Sequence, residues 1–213
     1  QSPGAINAYD GVRCVLSSLI KALKISLNKF LAHKNAKSIN ELNFCLMQNI
    51  AIMQSFGAIF DEKILSIFVN FLNAYTIKLN ELSKKNYLCE HLQAQNFGIE
   101  NFTTLERERS MLEDDAVAKS HELENILKEL VFVLQDDCYF YSSTLGKGEL
   151  KSTIAPLFAR KINMFLTQIY SLNYEAIGIK ANELFILASF FGSLFKTEKF
   201  LKFAKKLNEI SEN

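Results

Sequence analysis

Tryptophan is absent from this sequence, and only two prolines and eight glycines occur among its 213 residues. A β-sandwich or barrel turns roughly every 8–12 residues and marks those turns with Gly and Pro. So few turn formers argue against an all-β fold. No CxxC pair is present either, and Cys14, Cys45, Cys89 and Cys138 are spread along the chain. Structural zinc sites need ligands at short spacing. The cysteines therefore read as free, buried thiols in a reducing compartment. His33, His91 and His121 lack the helical clustering of metal sites. No metal and no cofactor is expected.

Catalytic signatures are missing as well. Gly146-Lys147-Gly148 resembles a fragment of a phosphate loop but lacks the strand before it and the spacing after it. No GxSxG occurs, and Ser, His and Asp show no signature spacing. No apolar run reaches the ~18 residues of a membrane span. The longest, Leu184–Phe195, is twelve residues long and contains Ser189, Gly192 and Ser193, which suits a buried helix. Neither sign of charge dominates: 24 basic against 23 acidic residues leave a net charge of +1, so nucleic acid is not an expected partner. The opening Gln1-Ser2-Pro3-Gly4 reads as a cloning remnant or a cut end and is set aside. With no signal peptide recognised, a cytoplasmic location is expected. The bias toward Phe, Ile, Asn and Lys suggests an AT-rich bacterial genome.

What is present is helical periodicity. Hydrophobic residues make up 49% and charged residues 22% of the chain, enough for a substantial core. Val12, Leu16, Leu19, Leu23, Leu27 and Phe30 recur at helical spacing and predict a first helix over about Ala5–His33. Ser38-Ile-Asn-Glu41 matches a capping box opening a second helix to about Phe60. Asp61 is a candidate cap for a third, to about Lys85, with a short piece at Tyr87–Gln95 before a break at Asn96-Phe-Gly98. Thr103-Thr-Leu-Glu106 is a second capping-box match, expected to start a long helix to about Tyr141. Pro156 is placed in the first turn of the next helix, where its missing N–H costs nothing. Two more helices, about Glu175–Phe195 and from Thr197 to Ile210, complete an all-α fold of about seven helices.

The chain also resembles itself. Displacing it by 135 positions superposes Phe30 on Phe165, Phe56 on Phe191, Gly57 on Gly192, Phe60 on Phe195 and Leu72 on Leu207. Two related three-helix units are expected, joined by a long acidic helix. The related units would span about 5–85 and 148–213; as domains the chain would divide into an N-terminal unit over 5–102, a connecting helix and loop over 103–147 and a C-terminal unit over 148–213, or form one compact domain. Residues 103–137 carry four basic and ten acidic side chains, whereas 1–75 carry seven against four and 147–213 ten against six. Gly57 and Gly192 each sit in an apolar segment, where a close helix crossing or a helix end would explain them.

The expected function is non-enzymatic: a helical protein-interaction module acting as adaptor, regulator or chaperone-like unit. The alternative is a sensory domain that binds a small ligand between bundles. Candidate contact residues are Arg107 and Arg109, drawn from only four arginines, and Asp136, Asp137, Tyr139 and Tyr141 beside a helix end. The lysines of Lys196–Lys206 line one face of the last helix and could touch an anionic membrane.

Overall fold

A computed structural model describes residues 6–94, 99–135, 144–195 and 198–211. Among them are seven α-helices: α1 (Ala8–His33), α2 (Ala36–Phe56), α3 (Glu62–Ala94), α4 (Ile99–Gln135), α5 (Leu150–Gln168), α6 (Tyr174–Phe191) and α7 (Glu198–Ser211). The fold is all-α.

Local chemistry sets the helix starts. The Asn7 side chain accepts a hydrogen bond from the Asp10 N–H at 2.7 Å, filling one orphan donor of α1. The chain leaves α1 through Lys34, whose φ of 48° is left-handed and whose N–H bonds to the Phe30 carbonyl at 2.8 Å. The capping box of α2 is Asn35 with Ser38, not Ser38 with Glu41. Ser38 is the third helical residue, and its hydroxyl closes the box by accepting from the Asn35 N–H. Asp61 caps α3 as expected, accepting from the N–H groups of Lys63 and Ile64. That helix continues to Ala94 and absorbs the segment from Tyr87. Thr103 lies inside α4, which is already helical at Ile99. Pro156 is likewise interior to α5, seven residues into a helix that begins at Leu150. Its missing N–H leaves the Ser152 carbonyl without a helical partner. The break at Asn96-Phe-Gly98 and the cap at Thr197 lie outside the described residues.

α1 packs on α2, α2 on α3, α3 on α4 and α4 back on α1, which closes a four-helix ring. The acidic helix that joins the two halves of the sequence thus also completes the first of them. Ala116, Leu123, Leu127, Leu130 and Leu134 of α4 are buried. Lys78 meets Asp115 at 3.1 Å, Lys85 meets Glu108 at 2.6 Å and Lys34 meets Glu113 at 3.6 Å along its rims. Between α3 and α4, the Tyr75 hydroxyl lies 2.5 Å from the Ser120 hydroxyl and donates to the Ala116 carbonyl at 3.3 Å.

α5 rests on α1 and α2, α6 on α2 and α5, and α7 on α6. One continuous apolar core runs through both halves. α2 is the shared element, touching α1, α3, α5 and α6. The starts of α1 and α5 are clasped by an antiparallel bridge between Asn7 and Glu149. There the Ala8 N–H bonds to the Gly148 carbonyl at 2.8 Å and the Leu150 N–H to the Ile6 carbonyl at 2.9 Å.

Several ends coincide at the 135-position displacement. α1 stops at His33 and α5 at Gln168, while α2 stops at Phe56 and α6 at Phe191. Each of the latter two passes into a 3-10 turn, Gly57–Ile59 and Gly192–Leu194. Each turn is closed by a Phe N–H bonding to the glycine carbonyl, Phe60 to Gly57 at 2.9 Å and Phe195 to Gly192 at 3.0 Å. Both glycines are therefore helix ends. A Cβ at Gly57 would meet nothing within 4 Å, so no close crossing requires it. Gly11 and Gly146, also matched in sequence, do not correspond: one is within α1 and the other in a 3-10 turn at Thr144–Lys147.

The stretch Tyr174–Leu194 is long and apolar enough to cross a membrane by length and composition. It extends past the twelve-residue run recognised in the sequence, which Glu183 bounds, by taking in Glu175, Lys180 and Glu183. In the fold, its Ala181, Leu184, Leu187 and Phe191 belong to the core.

Candidate functional site

Of the residues singled out in the sequence for contact, Arg107 and Arg109 are described, and they do not share a face. Arg107 is exposed on α4. Arg109, two positions on, points elsewhere and is held by Glu113 at 3.2 Å, one turn along the same helix. Its surroundings are the seam of α3 and α4, where burial pushes the Cys89 thiol up and the Arg109 charge opposes that shift. Asp136, Asp137, Tyr139 and Tyr141 lie outside the described residues. Of the basic face of α7, Lys202, Lys205 and Lys206 are exposed and Leu207 is buried. The side chains of Lys196 and Lys199 are not among those described. The expectation of buried thiols needs correction at Cys14, which is exposed because it falls on the face of α1 opposite Val12 and Leu16. Cys89 is buried and Cys45 half-buried. Among the described residues no three His, Cys, Asp or Glu side chains come together. His121 meets Glu124 at 3.5 Å, a pair on an exposed surface.

Two other places carry the features of a binding site. The first is a cleft of about 270 Å³ where α2, α3 and α6 meet. Its floor is apolar, formed by Met47, Ile50, Ala51 and Ile186. Its polar lining is Gln54 from α2, Asn73, Thr76 and Asn80 from α3, and Lys180, Asn182 and Glu183 from α6, with Ile179 at the rim. Asn80 accepts from the Asn43 amide at 2.8 Å, and the Thr76 hydroxyl donates to the Leu72 carbonyl at 3.0 Å. Gln54, Asn73 and Asn182 bring three side-chain amides to its lining.

Glu183 anchors this region. Its side chain is 13% exposed and meets the Lys161 ammonium at 2.5 Å and that of Lys180 at 3.5 Å. The Ser55 hydroxyl of α2 also donates to it, at 3.5 Å. Burying a carboxylate requires such compensation. Two ammonium groups against one carboxylate leave a surplus of one positive charge. Lys161 is the tightly held partner, and Lys180 is the loosely held one at the rim.

The second place is the tip of the α5–α6 hairpin. Tyr170 and Tyr174 are 97% and 94% exposed, and Met164, Leu166 and Ile179 are about half exposed. The hairpin formed by α1 and α2 provides a contrast. Its Leu27, Phe30, Ile39 and Leu42 are essentially fully buried. Helices α3 and α4 cover that tip, as the Asn43–Asn80 and Lys34–Glu113 contacts show. Displaced by 135 positions, Ile39 falls on Tyr174 and Leu42 on Ile177. Sequence reading passed over the tip because exposure has no periodic signature.

The sequence matches no protein-family model and no curated protein.

Proposed function

We propose that this chain is a non-enzymatic helical module that binds another protein through the tip of the α5–α6 hairpin. The observation that carries the reading is the pair Tyr170 and Tyr174, almost wholly in water beside exposed Met164 and Leu166. Tyrosine and methionine are enriched at protein interfaces, where a large amphipathic side chain supplies contact area at low entropic cost. Burying one large apolar side chain is worth about 1.5–3 kcal/mol, which Ile39 gains within the chain and its counterpart Tyr174 does not. The coincident helix ends also support a proposal that about 5–85 and 148–213 are related units, the second presenting Tyr174 where the first has covered Ile39.

The test is co-purification from the native cells, comparing the wild-type chain with a Tyr170→Ser, Tyr174→Ser double variant of unchanged circular dichroism. A stoichiometric protein that is lost from the variant supports the reading. A partner retained by the variant, or none with the wild type, ends it.

A second reading, sensing of a small ligand, is favoured by the α2–α3–α6 cleft, whose lining includes Gln54, Asn73 and Asn182. Native mass spectrometry of the purified chain tests it, through a retained small mass.

A further inference from the structure

We infer that the cleft between α2, α3 and α6 binds the carboxylate end of a short extended peptide. The inference deepens the ligand-binding reading and rests on it. Three observations carry it together.

The first is the chemistry of the lining side chains. Gln54, Asn73 and Asn182 line the cleft, and each carries a primary amide. A primary amide offers donors and an acceptor side by side, which matches the N–H and C=O of a peptide group. Catalytic or metal chemistry would call for different side chains.

The second is spacing. Asn73 and Asn80 lie on one stripe of α3, seven residues apart. At about 1.5 Å per helical residue they are roughly 10 Å apart along the axis. An extended chain rises about 3.3 Å per residue, so that stripe spans about three residues of peptide. The cleft, about 270 Å³, falls just below the roughly 300–1,000 Å³ of small-molecule sites, a size for two or three residues rather than a long segment.

The third is charge. Lys161 satisfies Glu183 at 2.5 Å, while Lys180 sits 3.5 Å away with its side chain 48% exposed. An incoming carboxylate would take Lys180 without leaving Glu183 unpaired. The apolar floor at Ile50 and Ile186 would seat one side chain of the peptide.

Two sources offer this ligand: free di- or tripeptides, and the C-terminal tail of a protein. Isothermal titration of the full chain distinguishes them. The probes are random-sequence tripeptide pools with a free C-terminus, the same pools amidated, and nine-residue pools with a free C-terminus. The expected result is binding of the free-acid tripeptides, weakened at least tenfold by amidation. Lys180→Gln should remove the preference for the free acid, and Asn73→Ala should weaken both forms. Nine-residue pools that bind as well as tripeptides assign the ligand to a protein tail, and pools that bind far less assign it to free peptides. The Tyr170→Ser, Tyr174→Ser variant should bind tripeptides as the wild type does, which separates this site from the hairpin tip. Absence of binding by every pool at millimolar concentration overturns the inference. Binding indifferent to both Lys180→Gln and Asn73→Ala also overturns it. A retained small mass that is not a peptide overturns it while leaving the ligand-binding reading intact.

Discussion

Phe56 and Phe191, 135 positions apart in sequence, meet edge to face with ring centroids 4.9 Å apart. Each is the last residue of its helix, each precedes a glycine that starts a 3-10 turn, and each is buried. The contact joins the four-helix ring to the C-terminal helices. Phe56→Ala and Phe191→Ala should each cost about 3–5 kcal/mol, the usual penalty for emptying a buried aromatic site. The double variant should cost less than the sum, by the roughly 0.5–1.5 kcal/mol of the ring pair. Urea unfolding of the four proteins measures this. Strict additivity would mean that the rings do not couple the two halves.

Gly57 and Gly146 should respond oppositely to alanine. Gly57 has φ −54° and ψ −34°, a conformation any residue adopts, and nothing lies within 4 Å of a new Cβ. Gly57→Ala should stabilise by about 0.4–1 kcal/mol through the unfolded state. A Cβ at Gly146 would lie 3.0 Å from the Ile59 carbonyl, a backbone atom that cannot swing away. Gly146→Ala should lower the melting temperature, and scanning calorimetry of both variants reads the sign.

Asn49 is fully buried in α2, and its side-chain oxygen has no partner. Its amide nitrogen donates to the Cys45 carbonyl at 2.8 Å and to the Leu19 carbonyl of α1 at 3.4 Å. The counterpart of Asn49 in α6 is Leu184, also buried. Asn49→Leu should stabilise by about 1 kcal/mol by removing an unsatisfied buried acceptor. A loss of stability in denaturant titration would show that the amide bonds outweigh the orphan oxygen.

Tyr75 governs the alkaline limit. Burial raises its phenol well above the ordinary value of 10.0, with the Ser120 hydrogen bond opposing part of the shift. In the unfolded chain this proton leaves near pH 10, as for an ordinary tyrosine, whereas the folded chain keeps it. The raised value therefore contributes stability in full below about pH 10 and loses it as pH climbs from there toward the folded value. Tyr75→Phe should be about 1 kcal/mol less stable at neutral pH and should fall less steeply in alkali. Parallel stability curves for the two proteins would contradict this.

Pro156 holds an interior position in α5. Alanine restores the missing hydrogen bond and removes the ring, so Pro156→Ala should stabilise by up to about 3 kcal/mol. A variant that unfolds earlier would show that neighbouring helices use the distortion.

The helical stripes were legible because burial repeats with the helix. Val12, Leu16, Leu19, Leu23, Leu27 and Phe30 are all buried. Starts were less legible where two side chains competed to cap. Ser38 fitted the capping pattern, yet Asn35 stands three residues ahead and takes the cap, leaving Ser38 to answer it. Thr103 and Pro156 have starting-residue chemistry but sit inside longer helices, because tertiary packing outweighs a local preference. The cleft was illegible for another reason. Its lining comes from α2, α3 and α6, and Glu183 meets Lys161 across a hairpin and Ser55 across 128 positions. No window along the sequence contains them together.

The Asn7–Glu149 clasp sets a timetable for the emerging chain. α1 to α4 can close their ring while the later residues are still being made, since domains assemble from the N-terminus during synthesis. Yet the Ala8 N–H and the Ile6 carbonyl wait for Gly148 and Leu150. The segment at Ile6–Ala8 is thus made before α1 to α4 yet fastened after them, and a chain interrupted before Gly148 leaves it open.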